Sequence, residues 1–140
     1  MSLNFTKCFC LIVIGILFIS VAGAQKNIYP LDKGYILERD LYSKMLKIQE
    51  INPEIVKLHI LGFSGTEELP IYGLEIGYSS AGKKVLMIGQ HHSDEVLGVE
   101  IVVSWAEKLA KEVGSDKKIE ALLHQYKFWI VPTINPEGYR

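Results

Sequence analysis

The spacing of apolar and polar residues predicts a helix followed by three strands in the first part of the chain. Apolar residues recur at helical spacing over 37–51, and Pro53 ends the pattern: Leu37, Leu41, Met45, Ile48 and Ile51. Alternation after Pro53 predicts a strand that ends at Gly62. Two more strands are predicted over 70–78 and 84–89, joined by a Ser-Ser-Ala-Gly turn. The last, "KVLMIG", is continuously apolar, which is typical of a strand covered on both faces.

The period then changes, and two helices and a fourth strand are predicted. An apolar stripe along 96–113 indicates a long helix, which Gly114 is suited to end. Glu107 and Lys111 form an i,i+4 pair on this helix. A shorter helix over 116–125 leads into the strongly apolar segment "YKFWIVPTIN". This order of elements predicts an α/β domain, with a buried sheet covered by helices.

The first 24 residues have the pattern of a secretory signal. Lys7 precedes an apolar run over 8–21, and small residues follow it up to Ala24. The run is shorter than the roughly 20 apolar residues that span a bilayer, so cleavage near Ala24 is expected rather than permanent anchoring. The protein is therefore predicted to be exported, secreted or periplasmic, with no stable membrane association after cleavage. Residues 25–36 are predicted to be an arm or linker.

Composition and charge limit the partners and the kinds of active site that can be expected. A length of 140 residues allows one modest domain, and a formal net charge of -1 gives no reason to expect binding to nucleic acid. The two cysteines, Cys8 and Cys10, both lie in the predicted signal. The remaining segment therefore has no disulfide, no thiol nucleophile and no thiolate metal site.

The candidate chemistry lies in "GQHHSDEVLG", between a predicted strand and a predicted helix. A catalytic zinc needs three protein ligands and an open position for water, and His92 and Glu95 have a ligand-like His-x-x-Glu spacing. His91 and Asp94 are a rival pair at the same spacing. The site would lie beyond the carboxyl end of a strand, where open α/β sheets bind ligands. Alternatively, Ser93 and Asp94 cap the helix and the remaining polar residues are solvated. The spacing alone leaves both interpretations open.

Three segments, in order along the chain, resemble the zinc carboxypeptidases. They are "ILGFSGTEELPIYGLEIG", "VLMIGQHHSDEVLGVE" and "FWIVPTINPEGY", the last with Glu137 where that family usually has Asp. The resemblance implies a mixed sheet flanked by helices, Zn²⁺ bound by His92 and Glu95, and hydrolysis of a peptide or amide substrate. Asp94 stands where some family members carry a substrate-binding Arg, which implies a different subgroup or substrate charge.

The resemblance also implies that part of the site is missing from this sequence. The family's third zinc ligand and its catalytic glutamate come later, beyond Arg140, so no catalytic residue is assigned within the chain. His59 and His124 are predicted elsewhere on the fold. Residues 37–140 are thus expected to be the N-terminal part of a truncated catalytic domain, inactive alone. The alternatives are an acyl-amino-acid or cell-wall-peptide amidase of the same fold, or a non-catalytic secreted binding module.

Asn135 and Gly138, in the turn after the last strand, are expected to be structural. Asn can bind the local backbone through its side chain, and Gly permits a positive φ.

Overall fold

The computed structural model describes residues 34–139 of the chain. The chain divides into two units, Met1–Pro30 and Leu31–Arg140, and the described residues belong to the second. The predicted signal over 1–24 and most of the arm over 25–36 lie outside the described residues. Within the described part, no helix is both long enough and apolar enough to cross a membrane.

The described residues form three helices and four strands in the predicted order. They are α1 (Glu38–Ile51), β1 (Val56–Phe63), β2 (Pro70–Ile76), β3 (Lys83–Gln90), α2 (Val96–Glu112), α3 (Lys117–Gln125) and β4 (Tyr126–Thr133), followed by a 3₁₀ turn at Pro136–Tyr139. The boundaries lie within a few residues of those expected, because periodicity changes sharply at each one. Gly114 follows α2 with φ +85°, as a C-terminal glycine should. The α/β class is confirmed.

The four strands form one mixed sheet in the order β1-β2-β4-β3. β1 pairs with β2 and β2 with β4 in antiparallel fashion, whereas β3 and β4 are parallel. The predicted Ser-Ser-Ala-Gly turn therefore does not close a hairpin, because β4 lies between β2 and β3. The physical reason is the crossover through α2 and α3, which returns β4 parallel to β3 and fills the position beside β2.

All three helices pack against one face of the sheet and share one core. Its buried residues are Leu41, Met45, Ile48, Ile55, Val56, Leu74, Ile76, Val99, Val102, Val103, Ala106, Leu109, Ala110, Ile119, Leu123, Phe128, Ile130 and Tyr139. The opposite face carries both apolar and polar side chains, and Glu75 there contacts His59 at 3.1 Å and Lys127 at 2.7 Å. The expectation that β3 is covered on both faces is wrong for the described residues. Leu86 is 64% exposed, because β3 is an edge strand of the described sheet and none of the described helices lies on its second face.

Two glycines bring the end of β3 into backbone contact with the first turn of α2. A Cβ on Gly98 would lie 1.8 Å from the Gly89 carbonyl oxygen, and a Cβ on Gly89 would lie 2.6 Å from that of Pro132. Because Gly89 has no Cβ, it permits this close approach. The contact fixes the direction in which the chain leaves β3, and therefore fixes the loop over 91–95 that joins β3 to α2.

Three loops meet at one edge of the sheet. The loops over 91–95 and 134–139 follow the parallel strands β3 and β4, so both lie at the carboxyl ends of these strands. The turn between β1 and β2, residues 64–69, joins them because β2 runs antiparallel to β4. This is the edge at which open α/β sheets form their sites.

Candidate metal centre

The loop over 91–95 presents the two candidate ligands at the start of α2. Glu95 occupies the N-cap position of α2, without a side-chain hydrogen bond to the helix. Within the described residues, the side chains of Ser93 and Asp94 make no capping hydrogen bond either. The alternative in which Ser93 and Asp94 cap the helix through side-chain hydrogen bonds is therefore wrong. The residue at the cap instead turns its carboxylate back onto the loop.

Glu95 binds the loop with one carboxylate oxygen and His92 with the other. Its Oε2 accepts hydrogen bonds from the backbone N–H groups of His91, at 2.9 Å, and His92, at 3.0 Å. Its Oε1 lies 2.9 Å from His92 Nδ1. The side chains are exposed, 78% for His92 and 44% for Glu95. The structure thus joins the pair that the resemblance assigned to zinc, and no hydrogen bond or ion pair joins the rival pair, His91 and Asp94.

The electrostatics of the pair favour an ionised carboxylate. The hydrogen bond from the His92 side chain, followed by those from the His92 and His91 backbone, lowers the pKa of Glu95 to about 2. In return, the hydrogen bond to Glu95 raises the pKa of His92. Glu95 is therefore an anion over the physiological range, which is the state that a metal ligand requires.

The geometry of this pair fits a divalent metal with a small adjustment. Ligand atoms on one tetrahedral zinc, with bonds of about 2.0–2.1 Å, lie roughly 3.3 Å apart. His92 Nδ1 and Glu95 Oε1, 2.9 Å apart, would be close enough to hold one zinc ion once the Nδ1 proton is released and both groups turn toward the metal. Both side chains are exposed enough to turn, while Oε2 keeps the carboxylate attached to the loop. The donor set, one imidazole nitrogen and one carboxylate, suits zinc.

No other histidine side chain in the described part of the chain forms a hydrogen bond with this pair. His59 lies on β1 beside Glu75 and Trp129, and the ring of His124 stacks on Tyr78 with centroids 4.0 Å apart. His91 is exposed, with its ring centroid 6.4 Å from that of His92. Among residues 34–139, no group of three or more potential ligands is close enough to hold a metal ion. The described residues therefore offer His92 and Glu95 as candidate ligands, with no third candidate beside them.

The turn after β4 directly contacts the loop over 91–95, here called the ligand loop because it carries His92 and Glu95. The sequence did not predict this contact. The side-chain amide of Asn135 donates from Nδ2 to the His91 carbonyl oxygen at 3.0 Å, and its Oδ1 accepts from the Gly138 N–H at 3.0 Å. The expected local bond of Asn135 to the backbone is present. The expected reason for Gly138 is wrong, because its φ is not positive. A Cβ on Gly138 would instead lie 2.5 Å from Asn135 Nδ2.

Glu137 ties the same turn to the third loop at this edge. Its Oε1 accepts from the backbone N–H groups of Thr66, at 2.9 Å, and Glu67, at 2.7 Å. Hydrogen bonds from the Ser64 hydroxyl and from these two amides lower the pKa of Glu137. In the sequence, this contact was indicated only by an acidic residue at the position where zinc carboxypeptidases usually have Asp.

Comparison with known proteins identifies the family of this chain. The model of the zinc carboxypeptidase family matches residues 41–140. Human carboxypeptidase D is 34% identical over 92 residues, which are 62% of this chain and 7% of that protein. Carboxypeptidase E of Caenorhabditis elegans is 30% identical over 111 residues, 75% of this chain and 23% of that protein. The chain thus spans a small part of the length of the curated relatives it matches.

Solved structures share the fold. Thrombin-activatable fibrinolysis inhibitor matches with a TM-score of 0.69 and 23% identity, over 75% of this chain and 26% of that one. A metallo-carboxypeptidase from Burkholderia cenocepacia matches with a TM-score of 0.65 and 24% identity, over 75% and 28%. At these identities, the likeness concerns the arrangement of helices and strands.

Proposed function

The chain belongs to the zinc carboxypeptidase family, and from that premise we propose that it carries part of the zinc site of a metallocarboxypeptidase. The proposed reaction is hydrolysis of a peptide or amide bond, commonly at a C-terminal residue. The observation that carries the proposal is the contact between His92 Nδ1 and Glu95 Oε1 at 2.9 Å, at the carboxyl edge of the sheet. This contact lies within the segment that matches the family.

His92 and Glu95 are the proposed zinc ligands. Glu95 Oε2 is held by two backbone N–H groups, and His92 Nδ1 and Glu95 Oε1 are the atoms that would hold the metal. When bound, zinc supplies Lewis acidity, lowers the pKa of a bound water and polarises the substrate carbonyl. The role of this chain is to hold and orient the two ligands at an exposed edge of the sheet, where the end of a peptide has access.

We further propose that the third ligand and the general base lie outside the described residues. Two ligands give weak coordination, because structural and catalytic zinc sites use at least three protein ligands. The 140-residue chain alone is accordingly proposed to bind zinc weakly and to have little or no peptidase activity. The proposed substrates are peptides or related amides. Neither nucleic acid nor a membrane surface is proposed as a partner.

Export is part of the same proposal. It rests on the pattern of residues 1–24, in which one basic residue, an apolar run and small residues follow one another. Sequencing the N-terminus of the protein after export tests it, with cleavage near Ala24 as the expected result. A mature protein that begins at Met1 would contradict it.

Activity is tested on the protein recovered from its native host with an antibody against this chain. Release of C-terminal residues from N-blocked peptides is measured before and after treatment with a zinc chelator, and again after Zn²⁺ is restored. We expect activity that is lost on chelation and regained with Zn²⁺, and little or none from the 140-residue chain expressed alone. Activity that survives chelation, or a recovered protein with none, would contradict the assignment. Efficient turnover by the 140-residue chain would contradict the two-ligand proposal.

A further inference from the structure

We propose that Asn135 is a positioning residue for the metal ligands, acting through the peptide group between His91 and His92. The inference rests on the proposed zinc site for its functional meaning, but its structural content stands on this chain's own hydrogen bonds. Asn135 belongs to the turn after β4, and the ligands belong to the loop after β3. The two are 44 residues apart in sequence and are joined by one side-chain bond.

The peptide group between His91 and His92 is held at both ends. Its carbonyl oxygen, on His91, accepts from Asn135 Nδ2 at 3.0 Å, and its N–H, on His92, donates to Glu95 Oε2 at 3.0 Å. In a trans peptide the C=O and N–H bonds point in opposite directions within one plane. Holding the carbonyl therefore sets the direction of the N–H, and the N–H orients the carboxylate of Glu95. In this way Asn135 influences a ligand that it does not touch.

Asn135 is itself oriented by its turn. Its Oδ1 accepts from the Gly138 N–H at 3.0 Å, which fixes the plane of the amide and aims Nδ2 at the ligand loop. Gly138 is required by this arrangement, since a Cβ there would lie 2.5 Å from Nδ2. Because both Oδ1 and Nδ2 of Asn135 are hydrogen-bonded, the amide cannot rotate without breaking one of these bonds. Its contact with the His91 carbonyl oxygen is therefore directional.

A buried pair beneath the turn fixes the backbone on both sides of this link. Thr133 Oγ1 accepts from the Asn135 N–H at 2.9 Å and donates to Gln90 Oε1 at 2.6 Å. The Ile134 N–H adds a bond to the Gln90 carbonyl oxygen at 3.2 Å. Gln90 and Thr133 are 0% and 2% exposed, so these bonds lie in a low-dielectric environment. The residues just before His91 and just before Asn135 are thereby joined, and the two loops form one unit.

The test removes the donor of Asn135 while keeping its turn. Asn135→Asp retains an oxygen for the Gly138 N–H but loses Nδ2 and places negative charge beside the His91 carbonyl. We expect amide hydrogen exchange at His91 and His92 to accelerate on the order of tenfold. The affinity for Zn²⁺, measured by calorimetry, should fall by about 10-fold or more, as for other outer-shell partners of ligands. A purely structural role would lower the melting temperature without this selective effect on one loop.

The matched control removes the contact between the same turn and the loop over 64–69. Glu137→Ala removes the bonds to Thr66 and Glu67 and leaves Asn135 and His91 unchanged. We expect faster exchange at Thr66, with exchange at His92 and the Zn²⁺ affinity unchanged. Should Asn135→Asp fail to fold, Asn135→Ser serves instead. Its hydroxyl can accept from the Gly138 N–H but is too short to reach His91.

The outcomes separate the inference from the proposed function. Unchanged exchange at His91 and His92 in the Asn135 variants, or equal loss of Zn²⁺ affinity in Glu137→Ala, would overturn the positioning role. If the unaltered chain shows no Zn²⁺ binding at His92 and Glu95, the proposed function fails, while the exchange rates still decide whether Asn135 orders the loop.

Discussion

Thr133 is the residue on which two of the site's bonds converge. Its hydroxyl accepts from the Asn135 N–H and donates to the buried amide oxygen of Gln90. Gln90 Nε2, by contrast, is buried and has no hydrogen-bond partner among the described residues. The polar network beneath the turn is thus only partly satisfied, which makes each remaining bond costly to lose.

We predict that Thr133→Val lowers the free energy of unfolding by about 1–3 kcal/mol. The change conserves shape but leaves the Gln90 oxygen and the Asn135 N–H without their partner in a buried position. Thr133→Ser is the matched control, because it keeps the hydroxyl and loses one methyl group, at a cost of about 0.8 kcal/mol. Urea denaturation measures both. A Val variant as stable as the Ser variant would show that the hydroxyl contributes little.

Individual residues were predictable from the sequence only where the signal was local. His92 and Glu95 lie three positions apart, so their proximity followed from spacing and from resemblance to a family. The bond between Asn135 and His91 spans 44 residues and exists only because β3 and β4 are parallel neighbours. For Gly138, the sequence indicated the importance of the residue but not its reason, which is the volume taken by the Asn135 side chain.

At the scale of elements, the contact between β3 and α2 depends on the absence of two Cβ atoms. We predict that Gly98→Ala lowers the free energy of unfolding by about 3 kcal/mol or prevents folding. Alanine favours a helix over glycine by about 1 kcal/mol, but a Cβ placed 1.8 Å from the Gly89 oxygen must displace backbone. The steric cost therefore outweighs the gain in propensity.

Gly82→Ala is the control for this comparison. A Cβ at Gly82 meets nothing within 4 Å, and its φ is not positive, so a near-neutral effect is expected. Denaturation midpoints of the two variants give the test. Equal midpoints would mean that the close approach of β3 and α2 can relax without cost.

Element positions were largely predictable, whereas strand pairing was not. The apolar stripe over 96–113 predicted α2, which spans Val96–Glu112, because one helix face contacts the core. The sequence could not show that β4 enters the sheet beside β2, since that depends on the crossover through two helices. For the same reason the edge position of β3, with Leu86 exposed, was missed.

For the molecule as a whole, Glu107 links α1 to α2 and should make stability depend on pH. Its carboxylate lies 2.5 Å from Lys111 Nζ in the same helix and 2.6 Å from Lys44 Nζ of α1. These hydrogen bonds, that from Lys111 first and that from Lys44 second, lower the pKa of Glu107. The sequence predicted the Lys111 pair but not the contact with Lys44, which requires the packing of two helices.

We predict that Glu107→Gln lowers stability by about 0.5–1 kcal/mol at neutral pH, since the three side chains are partly exposed. A depressed pKa in the folded state contributes stability above the unfolded-state value of 4.5, and this is lost as pH falls through the folded-state value. The difference between the unaltered chain and the variant should therefore shrink below that pH. Thermal melts across a pH series measure it.

Glu112→Gln provides the comparison within α2, because Glu112 pairs at 3.3 Å with Lys108 of the same helix. It should cost only about 0.2–0.5 kcal/mol. A difference for Glu107→Gln that stays constant from neutral pH to well below 4.5 would contradict the assigned role of the carboxylate.

A calorimetric Zn²⁺ titration of the chain and four single variants tests the proposed zinc site most directly. We expect weak binding whose affinity falls at least about 10-fold in His92→Ala and in Glu95→Gln, because each removes a ligand. His91→Ala should bind Zn²⁺ as the unaltered chain does, and Asp94→Asn should weaken binding less than either ligand variant, because its charge acts on His92 only by Coulomb attraction. Loss of binding in His91→Ala and Asp94→Asn, with binding retained in His92→Ala and Glu95→Gln, would show that His92 and Glu95 are not the ligands.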